Sequence, residues 1–145
     1  MRKLILVIST LLITLSSLAY GLSIQSLNKL QVINTLQNKT IVTIPLITLN
    51  NELINNTFTG YFDKNNQLQG RFSAKPDNDP QSDQGKWLVE ADGTLCATWQ
   101  HWHQGKPVCV TVYKLENGLL FVNKKSKKIE TVVLDANIKS GNQLS

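Results

Sequence analysis

The sequence predicts an all-β domain with one N-terminal helix, folded as a small antiparallel meander that is barrel-like. Three observations point to it. From Thr40 onward, apolar and polar residues alternate in short runs with a period of two, the pattern of half-buried strands. Turn residues punctuate these runs at Asp63 to Asn66, Asp92-Gly93 and Asn117-Gly118. Before Thr40 the apolar spacing is three residues, which suits a single helix. A meander of roughly eight short strands leaves exposed edges unless it closes on itself, and a barrel is the simplest closure at this size.

The chain begins with Arg2 and Lys3, then a short apolar run, then small residues up to Gly21. That order of positive, apolar and small segments predicts a secretory signal, cut after Ala19 or Gly21. Residues 1–21 are therefore read as a signal peptide and 22–145 as a single exported β domain. The apolar run is short for a membrane span, so no stable span is expected once the signal is removed. No cysteine lies near the cut, so the chain is not a lipoprotein, and its destination is the periplasm or the medium. Without the signal, thirteen basic side chains face ten acidic ones, a net charge of about +3. The basic residues are scattered apart from Asn123 to Lys128, a run read as a solvated hairpin end. Nucleic acid is not expected as a partner.

In the domain itself, Ile24, Leu27, Leu30, Ile33 and Leu36 form one stripe of a helix of about four turns, capped by Ser23. The stripe is expected to pack on a sheet, and Asn38 breaks the helix. Thr40 to Leu49 reads as a strand that Pro45 pushes to an edge or a bend. Phe58–Phe62 and Leu68–Ala74 form a hairpin, and Lys75 to Gly85, rich in Pro and Asp, reads as a loop. Trp87, Val89 and Ala91 share one face and look like core. Two further hairpins turn at Asp92-Gly93 and Asn117-Gly118, and the last strands come from Lys127–Leu134 and Ala136–Gly141.

Leu95 to Tyr113 holds both cysteines, both histidines and two of the three tryptophans. Outside the reducing cytosol, two cysteines are most simply a disulfide. Pairing Cys96 with Cys109 also puts Leu95, Ala97 and Trp99 beside Val108, Val110 and Val112, an apolar inner face. The alternative, a pair of metal thiolates, lacks the close spacing of structural zinc sites. The same register places His101, Trp102 and His103 at the hairpin tip. Three readings of that tip stand open. Trp102 folds back onto the barrel; or Trp99, His101, Trp102 and His103 meet a ligand or partner; or His101 and His103 make a weak metal site. Asp77, Asp79 and Asp83 match no EF-hand spacing and read as a polar loop.

Gly85, Trp87, Asp92, Gly93, Cys96, Trp99 and Cys109, with the closing Ile138 to Asn142, give a pattern of Gly-x-Trp, Asp-Gly, Cys, Trp and a second Cys. This pattern resembles the proteobacterial domain-of-unknown-function family numbered nine hundred and ninety-five. The resemblance covers roughly Leu27 to Asn142. It implies an exported bacterial protein with a disulfide, and it brings no catalytic residues. No nucleophile sits in an activating motif, so no catalytic residue and no cofactor are expected. The expected function is a non-catalytic binding or interaction module for a small ligand, an envelope component or a protein. A hydrolase of uncommon type using Asp or His, and a metal-capture protein using His101 and His103, are the alternatives. An apolar cavity or an exposed Trp102 patch would favour binding; converging carboxylates or imidazoles in a cleft would favour an enzyme.

Overall fold

The computed structural model describes residues 24–44, 57–74 and 78–144. The signal segment, Ser23, Pro45 to Leu49 and Asp77 lie outside the described residues. Nine strands follow in chain order: β1 (Lys39–Val42), β2 (Phe58–Phe62), β3 (Gln67–Phe72), β4 (Ser82–Val89), β5 (Leu95–Trp99), β6 (Val108–Leu115), β7 (Gly118–Asn123), β8 (Ile129–Leu134) and β9 (Ile138–Ser140). Each of β1 to β7 pairs antiparallel with the next, and β9 returns to the free edge of β1. Ile44, just past β1, bridges Val132 on β8, with its N–H donating to the Val132 carbonyl at 3.0 Å. The sheet is therefore a nearly closed, barrel-like meander, as the alternation predicts. Among the described residues no helix is long and apolar enough to cross a membrane.

The helix is shorter than expected. α1 spans Lys29–Leu36, and its cap is Asn28, not Ser23. The Asn28 side chain accepts from the Gln31 N–H at 3.0 Å, and the Gln31 side chain accepts from the Asn28 N–H at 2.9 Å, a reciprocal capping box. Upstream, Gln25 to Leu27 are extended because β6 needs them. β6 outlasts β5, whose pairing stops at Leu95 and Val110. The bare edge beyond is filled when Leu27 N–H donates to Val112 and Lys114 N–H donates to Gln25. Gly93, at φ +87°, permits this approach: a Cβ there would stand 2.3 Å from the Leu27 carbonyl oxygen. The stripe is correspondingly split. Val32 and Leu36 are fully buried, while Leu30 is 70% exposed. Each of the two buried side chains contributes roughly 1.5–3 kcal/mol. Asn38 ends the helix in the left-handed region, at φ 56°, and passes the chain directly to β1.

Three other expectations are corrected. The Lys75–Gly85 stretch is not all loop, since β4 starts at Ser82. Its inward positions are Asp83, Gly85, Trp87 and Val89, so the alternation is present but masked by an acid and a glycine. Ala91 lies exposed in the β4–β5 turn, not on the core face of Trp87 and Val89. The β6–β7 turn centres on Glu116 and Asn117, because Leu115 pairs with Gly118. The β7–β8 turn is a solvated end, as read. There the Asn123 side chain accepts from the N–H groups of Lys125 and Ser126.

Cys96 and Cys109 are directly opposite in the β5–β6 register and form a disulfide. Leu95 pairs with Val110 and Ala97 with Val108, the expected apolar inner face. Cys96→Ser is expected to remove on the order of 3 kcal/mol, mainly by freeing the unfolded chain. That loss corresponds to a thermal midpoint roughly 10 °C lower. The test is a melting curve of each form, alongside intact masses with and without reductant; an unchanged midpoint would refute the assignment of the staple as a stabilising one.

Candidate functional site

β5 and β6 carry their inward residues toward the end of the barrel away from α1. Between them the chain makes a tight turn at Trp102–Gly105. His103, Gln104 and Gly105 all adopt left-handed backbone, at φ 55°, 57° and 68°. Two successive non-glycine residues in that region store strain of about 1 kcal/mol or more each. The strain is held by what the turn buries. Trp102 is 3% exposed and is folded back under the barrel mouth. It is not an exposed anchor.

The anchoring group is Asp83, which the sequence pattern places in a polar loop. It occupies an inward position on β4, and its side chain is 1% exposed. One carboxylate oxygen accepts from the backbone N–H groups of His101 at 2.8 Å and Trp102 at 2.9 Å. The other accepts from the Gln84 N–H at 2.8 Å and meets His101 Nδ1 at 3.0 Å. Burial alone would raise the Asp83 carboxyl; the Trp102 amide, then the imidazole and amide of His101 and the Gln84 amide, outweigh it and hold the group below the usual carboxylate range. Trp102 Nε1–H donates to the Pro80 carbonyl at 2.6 Å, a second tie between turn and wall.

The buried indole completes an aromatic cluster. Its centroid lies 4.6 Å from Trp99 and 4.8 Å from Phe72, and Phe58 stands edge-on to both tryptophans. Such tilted contacts suit the ring quadrupoles. The cluster fits only because β3 carries Gly70 beneath it. A Cβ at Gly70 would fall 2.6 Å from Trp99 and 2.7 Å from both Phe58 and Trp102.

Above this cluster the barrel is hollow. A cavity of about 320 Å³ is walled by the four aromatic rings and by aliphatic side chains such as Ile41, Val108 and Val110. That volume falls at the lower end of the range of roughly 300–1,000 Å³ for small-molecule sites. Its few polar groups are Thr43, His103, Glu130 and Thr131. Of the residues singled out in the sequence, Trp99, Trp102 and His103 thus meet at one cavity. His101 does not join them: it is 65% exposed at the side chain and is taken up by Asp83. The disulfide lies on the outer face, opposite the side that Leu95 and Ala97 present to the cavity.

Asp83 with His101 supplies an orienting acid and a base, but among the described residues no hydroxyl or thiol is hydrogen-bonded to the other ring nitrogen of His101. No three His, Cys, Asp or Glu side chains among the described residues come together as a metal site.

Fold and site together define a small disulfide-stapled β-barrel-like domain with an apolar interior at one end. Set against models of known families, curated sequences and solved structures, the chain matches none of them.

Proposed function

We propose that the protein is an exported, non-catalytic binding module that holds a small, largely apolar molecule in the mouth of the barrel. The observation that carries this reading is the cavity of about 320 Å³, apolar on its walls and polar at a few points. A barrel of this strand number encloses room for one small ligand when its core is not filled by side chains. The Asp83 tie supports the same reading, because it fixes the floor of the cavity before any ligand arrives and so lowers the ordering cost of binding. The export reading follows from the signal-like residues 1–21.

Titration with 1-octanol, followed by tryptophan emission and by calorimetry, tests the proposal. Saturable one-to-one binding is expected, with a dissociation constant on the order of 0.1–1 mM for so few heavy atoms. A negative heat-capacity change should accompany it. Ala97→Phe places a ring in the cavity and should abolish binding while the disulfide and the melting transition persist. A linear, unsaturable response, or full binding by Ala97→Phe, would rule the cavity out as the site.

A further inference from the structure

The polar groups at the cavity define which end-group a ligand can carry. We infer that the site selects amphiphiles with a protonated amine over those with a carboxylate or phosphate, an inference that rests on the cavity being a ligand site. The chain has fifteen Lys and Arg against ten Asp and Glu, yet among the described residues no Lys or Arg lines the cavity. Among the described residues, the one acidic side chain that does is Glu130.

Glu130 is held in place. Its Oε1 accepts from Asn123 Nδ2 at 2.7 Å, across the β7–β8 hairpin. Its Oε2 has no protein partner among the described residues. Of the lysines in the adjoining β7–β8 turn, Lys124 is occupied elsewhere, at 3.0 Å from both Glu90 and Asp92, and Lys125, Lys127 and Lys128 are exposed and do not line the cavity. The Thr43 hydroxyl is engaged as acceptor of the Phe58 N–H at 2.9 Å. What sets the charge a headgroup meets is therefore the Glu130 carboxylate, since the Thr43 and Thr131 hydroxyls and the His103 imidazole can each either donate or accept. An ammonium finds an opposite charge and an acceptor there. A carboxylate or phosphate finds a like charge and, among the described lining residues, no Lys or Arg to offset its loss of water.

Octylamine, 1-octanol and octanoate share one tail and differ only in the headgroup, which makes them the probes of choice. At low salt, octylamine is expected to bind about tenfold more tightly than octanoate, with octanol between them. In about 0.5 M salt the spread should narrow, because the rim is solvent-exposed. In Glu130→Gln, whose folding is checked by its melting transition, the amine-to-carboxylate ratio should fall towards one. Octanoate binding as well as octylamine overturns the inference while leaving the cavity reading intact. A ratio unchanged in Glu130→Gln overturns it as well. Failure of all three probes to bind overturns the cavity reading and this inference with it.

Discussion

Trp102→Ala is expected to cost about 3–5 kcal/mol of unfolding free energy, the usual loss for a large aromatic side chain removed from a packed core. The reason is local. Trp102 touches Trp99, Phe58 and Phe72 at once, and its Nε1–H is tied to Pro80. Removing the indole opens a void that these neighbours, pinned on separate strands, can close only in part. The turn then loses its compensation for the left-handed backbone at His103 and Gln104. Trp102→Phe should cost less, because a ring remains while the bond to Pro80 is lost. Urea denaturation followed by far-ultraviolet circular dichroism measures both. A loss below about 1 kcal/mol for alanine would mean that the indole is not part of the barrel core.

Asp83→Asn is the second large effect, expected at about 2–4 kcal/mol at neutral pH. A carboxylate serves three backbone N–H groups and one imidazole here. An amide offers one oxygen and turns an NH₂ toward the remaining donors, leaving buried polar groups unpaired at about 1–3 kcal/mol each. The pH dependence follows from the depressed carboxyl. A group whose folded pKa lies below its unfolded value stabilises fully above the unfolded value of about 3.9 and loses that contribution as pH falls through the folded one. The wild-type protein should therefore lose stability as the pH falls below about 5, and Asp83→Asn should lose less over the same range. The gap between the two would accordingly shrink in acid. Paired urea titrations at pH 7 and pH 3 measure it; a gap that stays constant would show that Asp83 does not anchor the turn as a carboxylate.

The fold was legible where side chains advertise their environment. Alternation exposed β2, β3 and β5 to β8, and the cysteine register set the β5–β6 pairing residue for residue. It failed where a polar side chain holds an inward position. Counting back by twos from Val89 and Trp87 reaches Gly85 and then Asp83, but neither residue type announces a buried strand. Nor could spacing choose between Ser23 and Asn28 as the cap. That choice depends on β6 being longer than β5, a property of pairing and not of the local sequence. The cavity was legible only as a barrel mouth. Its floor combines Phe58 and Phe72 from the first hairpin with Trp99 and Trp102 from beyond it, brought together by closure and by the room that Gly70 leaves.

The order of strands has a kinetic consequence. Every pairing from β1 to β8 joins neighbours along the chain, so each hairpin closes a short loop apart from the longer β1–β2, β3–β4 and β5–β6 connections. Short loops cost little entropy and form quickly. The seam is different in kind, because β9 must find β1 across nearly the whole domain, as when Thr40 pairs with Lys139. As the chain is made, seven antiparallel pairings can assemble in sequence, while the wall that encloses the interior is completed only after Ser140 has emerged. Until then the apolar residues destined for the cavity face water in an open sheet, which is the interval in which the chain is most prone to associate with other copies of itself.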